Sequence, residues 1–117
     1  MAAKNPKLKS LIPVESVKVG AYVVPLVLTD DYIPFGATDA LGLYESNQLR
    51  ITLSTTVCKQ RLKHIVCHEV CHAMADIHHI PMPPNDEQME VVNDAFATAL
   101  YAFIKDNPEL VRWLMQA

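Results

Sequence analysis

Several things are scarce in this chain. It has only three cysteines in 117 residues. Three thiols cannot all pair with one another, and Cys58, Cys67 and Cys71 lack the spacing of a disulfide framework. That usage suits a reducing, cytoplasmic setting. Long hydrophobic runs are missing too: the longest, AYVVPLVL at 21–28, is far too short to span a bilayer, so no membrane is expected as a partner. The first twenty residues carry five charges and no apolar block, unlike a secretory leader. Nor is there an excess of positive charge. A formal net charge of −3 gives no footprint for nucleic acid, and Lys4, Lys7 and Lys9 near one end read as solvated. No internal repeat or low-complexity tract interrupts the chain.

What is present is the balance of a globular protein. Half of the residues are apolar and a fifth are charged, over a length that buries a core without staples as one domain, 1–117. Up to about residue 53 the pattern is loop and strand. AYVVPLVLTD is rich in β-branched residues, but Pro25 lacks the N–H of a central strand, which points to an edge strand or a bulge. Asp30, Asp31, Pro34 and Gly36 mark a loop. LGLY and QLRITL alternate apolar and polar around Glu45-Ser46-Asn47, the pattern of a hairpin.

After Ser54 the period becomes helical. Ser54, Thr55 or Thr56 can cap a helix whose stripe is Leu62, Val66, Val70, Ala73 and Ile77, and Pro81, Pro83 and Pro84 end it. A second helix runs through NDEQMEVVNDAFATALYAFIK, with Asn85 and Gln88 as a capping box and Asp86 and Glu87 at the positive end of the dipole. NPELVRWLMQ makes a third, capped by Asn107 with Pro108 at its first position. The expected fold is α+β. A small antiparallel sheet packs against the first helix, the second helix runs antiparallel to the first, and a short C-terminal helix follows. Phe96, Leu100, Phe103, Leu110, Trp113 and Leu114 are expected in the core.

All five histidines fall within HIVCHEVCHAMADIHH, residues 64–79. Residues 68–72 read His-Glu-Val-Cys-His. On a helix, positions i and i+4 share a face about 6 Å apart along the axis, so both imidazoles can reach one zinc ion. Glu69 then points to the edge of the site, where it can take a proton from a water acidified by the metal. Catalytic zinc ordinarily takes three protein ligands. His78 has the spacing of HExxHxxGxxH, but Ala75 stands where that pattern has the glycine that lets the chain leave the helix. Glu90 is the better third ligand, because the proline-rich PMPPN can reverse the chain and bring the start of the second helix level with His72. Asp94, at i+4 from Glu90, can accept the outer N–H of a ligating imidazole.

At this point GLYESNQLRITLS, the HExxH stretch and EVVNDAFATAL together resemble the ImmA/IrrE-type metallopeptidases, gluzincin-like zinc enzymes of bacteria, phages and mobile elements. Glu90 takes that family's ligand position, Asn93-Asp94 its Ala-Asn position, Phe96-Ala97 its Phe-Ala position and Leu100-Tyr101 its Leu-Leu position. The resemblance spans roughly residues 40–101. It implies zinc held by His68, His72 and Glu90, Glu69 as general base, and hydrolysis of peptide bonds. The substrate would be a protein or peptide, and family members often act on transcriptional repressors. Two departures are visible: Cys71 replaces the usual glycine before the second histidine, and Asp94 replaces asparagine, as in the Glu-xxx-Asp arrangement of thermolysin-like enzymes.

Other residues carry weaker signals. Cys67 and Cys71 lie a quarter-turn from the histidine face and read as packing residues. His64 is expected to line the cleft, Tyr44 is a candidate oxyanion donor, and Asp76 reads as solvated. His78 and His79 suit the end of the helix. The competing reading is a non-catalytic zinc-containing module that binds protein, an anti-repressor or assembly factor. A structural zinc site, however, is normally closed by four protein ligands and has no need of Glu69.

Overall fold

The computed structural model describes residues 11–81 and 86–116, without the side chains of residues 86, 87, 89, 90 and 93. Within these bounds the fold is α+β. Six strands, β1 (Ser16–Val19), β2 (Tyr22–Thr29), β3 (Ile33–Phe35), β4 (Thr38–Ala40), β5 (Gly42–Glu45) and β6 (Arg50–Ser54), precede three helices. The helices are α1 (Lys59–Ile77), α2 (Asp86–Asp106) and α3 (Pro108–Met115).

The hairpin at 42–54 forms as its alternation requires, with Gly42 opposite Leu53 and Glu45 opposite Arg50. Arg50 closes it by donating to Glu45 Oε1 from Nε and Nη2, at 3.1 and 2.8 Å. The sheet as a whole is not antiparallel, as expected, but mixed. Its order is β1-β2-β6-β5, and β2 runs parallel to β6. A parallel pair needs a long crossover, supplied here by β3, β4 and β5, and residue alternation carries no trace of such a connection.

Nor is β2 an edge strand. Its first half pairs with β1, Ser16 opposite Pro25, and its second half with β6, beginning at Leu26 opposite Ile51. Successive N–H groups of a strand point to opposite sides. Leu26 N–H donates towards β1, to Glu15 O at 2.9 Å. The N–H that Pro25 lacks would therefore point to the β6 side, just before that ladder begins. The proline sits where one neighbour gives way to the other.

The stretch expected as a loop around Pro34 and Gly36 is a second hairpin, β3–β4, with Phe35 opposite Thr38. Gly36, at φ +62°, fills the first position of its two-residue turn, which favours glycine.

Helix α1 starts at Cys58 without a side-chain cap. Ser54, one of the expected caps, belongs to β6. The helix ends before the prolines are reached. His79 adopts a left-handed conformation at φ +54°. His79 N–H donates to Asp76 O at 3.2 Å and Ile80 N–H to Ala75 O at 2.8 Å, the pair of bonds of a Schellman motif.

The core is one cluster in which Val17, Val24, Ile51 and Leu53 of the sheet meet Leu62, Val66 and Ala73 of α1 and Phe103, Leu110 and Trp113 of α2 and α3. Phe96 and Leu114 pack at its margin. Leu100 was also expected inside, but it is exposed.

Asn107 precedes α3 as expected, yet its side chain does not cap that helix. It is 9% exposed. Its Oδ1 accepts from Lys18 N–H at 2.8 Å, and its Nδ2 donates to Lys18 O and Phe103 O, each at 2.9 Å. The amide thereby stands in for a neighbouring strand beside β1 and joins the sheet to the end of α2. The expected capping partner Asn85 lies outside the described residues. No helix among the described residues is long and apolar enough to cross a membrane.

Candidate metal centre

Helix α1 packs against β5 and β6, and one residue sets how closely. A Cβ on Gly42 would stand 2.6 Å from Ile65 Cγ2 and 3.0 Å from Glu69 Cγ. Only glycine lets the helix approach so near, and the approach presses the stem of Glu69 against the strand. Glu69 is 6% exposed. Its carboxylate faces a groove of about 610 Å³ between α1 and the strands, and His68 and His72 line the same groove.

His68 Nε2 and His72 Nε2 lie 3.2 Å apart, the rings meeting edge to face at 74°. Two Zn–N bonds of about 2.0–2.1 Å at a tetrahedral angle place their nitrogens about 3.3–3.4 Å apart. The pair therefore fits two corners of a zinc tetrahedron. Without a metal, the same separation is an N–H···N hydrogen bond. Glu69 Oε2 lies 4.0 Å from His68 Nε2, beside the two donors. A carboxylate there can receive a proton from a water held near both imidazoles.

Of the two candidates for a third ligand, His78 is remote. It follows the last residue of α1, and its ring packs beside Gly20 in the β1–β2 turn, where a Cβ would meet His78 Nε2 at 3.4 Å. Glu90 belongs to the first turns of α2, but its side chain lies outside the described residues. Among the described residues, no group of three His, Cys, Asp or Glu side chains converges on one point. Asp94 is exposed on α2, and its backbone carbonyl accepts from Thr98 Oγ1 at 3.0 Å.

Asp76 is not merely solvated. Tyr44 Oη and Ser46 Oγ both donate to its Oδ2, at 2.7 and 2.8 Å. Those bonds, Tyr44's first, hold the Asp76 carboxyl below its usual range. Burial, then the hydrogen bond to Asp76 and that residue's charge, push the Tyr44 hydroxyl well above its usual range. Tyr44 is thus committed to Asp76 and is a poor oxyanion donor. His64 is exposed and does not line the groove.

Cys67 and Cys71 are exposed as whole residues rather than packed inside, though both border an apolar cavity of about 240 Å³ between the helices. Partial enclosure of the sulfur, and then Cys71 beside it, raise the Cys67 thiol above its ordinary value.

Gly42, Ser46 and Phe35 line the groove without having been singled out from sequence. A glycine inside an alternating strand is itself a mark of close backbone approach, so Gly42 was open to detection. Ser46 and Phe35 carry no such mark.

No protein-family model, curated protein or solved structure matches the chain.

Proposed function

We propose that this chain is a zinc metallopeptidase of the HExxH…Glu type, similar to the ImmA/IrrE-type enzymes, acting on a protein or peptide in the cytoplasm as a single domain. The observation that carries the reading is the 3.2 Å separation of His68 Nε2 and His72 Nε2 with the buried Glu69 carboxylate alongside. His68, His72 and Glu90 would hold the ion. When bound, zinc acidifies water and polarises a carbonyl. Glu69 takes the proton of the attacking water and passes it to the departing amine, and its burial against Gly42 fixes the direction from which it does so. For Glu90 to serve, α2 must run back antiparallel to α1, as the proline-rich PMPPN between them leads one to expect. Asp94, one turn further, would then orient a ligating imidazole.

The test has two parts. Elemental mass spectrometry should find about one zinc per chain, lost in Glu90→Ala and kept in His78→Ala. Loss with His78→Ala alone would defeat the ligand assignment. Glu69→Gln should keep the metal and abolish peptide hydrolysis. Cellular function that survives Glu69→Gln would leave a non-catalytic zinc protein that binds partners.

A further inference from the structure

The β3–β4 hairpin contributes Phe35 and Ala40 to the lining of the groove. Along a strand, residues two apart share a face, so Ile33 and Phe35 point the same way. Ile33 reaches the protein interior and is buried at 7% exposure. Phe35, at the end of β3, belongs to the main core cluster no more than Ile33 does, and unlike Ile33 it is not buried. It is 58% exposed and lines the groove that holds His68, Glu69 and His72. A large aromatic ring left in water at the rim of a reactive groove is a surface that gains by being covered.

Its surroundings narrow the occupant. On the strand side Ala40 and Leu43 continue the apolar wall from Phe35. The anionic groups lining the groove are Glu69 and Asp76, and no Lys or Arg lines it among the described residues. Beside Phe35 an acidic side chain would find no Lys or Arg among the described residues to offset its desolvation, and an apolar one would meet the ring.

We propose that Phe35 is a specificity-determining residue, receiving an apolar side chain of a peptide whose backbone lies beside His68 and His72, and that the groove discriminates against acidic residues at that position. This rests on the zinc peptidase reading above.

The experiment measures binding rather than turnover. Zinc-loaded protein is titrated calorimetrically with N-acetyl amino-acid hydroxamates of leucine, glycine and aspartate, for the wild type and for Phe35→Ala and Phe35→Leu. Metal content and melting temperature are recorded for each. The leucine compound should bind the wild type about tenfold more tightly than the glycine one, and the aspartate compound most weakly. Phe35→Ala should remove the leucine advantage, and Phe35→Leu should keep most of it, with zinc content and melting temperature unchanged. Equal affinities for leucine and glycine in a zinc-loaded wild type, or a leucine advantage that survives Phe35→Ala, would overturn the role of Phe35 and leave the peptidase reading standing. A wild type that takes up no zinc would overturn both.

Discussion

Tyr44 Oη stands 2.7 Å from Asp76 Oδ2, so the β5–β6 hairpin is tied to α1 one turn beyond His72. Ser46 strengthens the tie from the turn of the same hairpin. The two sides of the groove are thereby held together by polar bonds at one end and by the Gly42 contact nearer Glu69.

The tie has a pH signature. Asp76 has a depressed folded-state pKa, so its contribution is present above the unfolded value of about 3.9 and is lost as pH falls through the lower folded value. Tyr44 has a raised one, so its contribution is present below about 10 and is lost as pH rises through the higher folded value. Urea unfolding followed from about pH 3 to about pH 11 should show Asp76→Asn flattening the acid limb and Tyr44→Phe flattening the alkaline limb. Limbs unchanged in both variants would mean that the bonds do not persist in solution.

Gly42→Ala should destabilise the fold by about 1–3 kcal/mol, since the added methyl overlaps the side chains of Ile65 and Glu69, which must shift to relieve it. The same shift displaces Glu69. Denaturant unfolding measures the first effect. Peptide hydrolysis, if it falls further than zinc content does, reports the second.

Asn107→Ala should cost about 1–3 kcal/mol, because it leaves the backbone N–H and C=O of Lys18 unpaired in a partly buried place. Asn107→Asp should also destabilise, since the carboxylate keeps an acceptor for Lys18 N–H but loses the donor to Lys18 O and Phe103 O. Chemical denaturation of the two variants ranks them against the wild type.

His68→Ala and His72→Ala should each lower zinc content to background, while His64→Ala should leave it unchanged, since His64 lies outside the groove. Equilibrium dialysis against zinc distinguishes the three. Retention of metal by His72→Ala would defeat the two-imidazole site.

The sequence by itself determined what short-range periodicity controls. The i, i+4 spacing of His68 and His72 places both rings on one helical face wherever the helix is packed. Alternation in LGLY and QLRITL sets the hairpin register. The helical stretches follow from their apolar stripes, and Pro108 opens the last helix because its fixed φ and missing N–H suit a first turn.

Tertiary structure decided the rest, because the partners involved lie far apart in the chain. The parallel pairing of β2 with β6 depends on where the crossover lands, and only that landing makes Pro25 tolerable inside the sheet. Asn107 reads as a helix cap until Lys18, 89 residues away, presents an unpaired peptide group to it. Asp76 reads as solvated until the hairpin brings up Tyr44 and Ser46 from 32 and 30 residues earlier. Phe35 reads as part of a loop until the β3–β4 hairpin brings it to the groove that His68 and His72 line. A side chain's local preference is read along the chain, but its hydrogen-bond and packing partners exist only once distant backbone has been brought within reach.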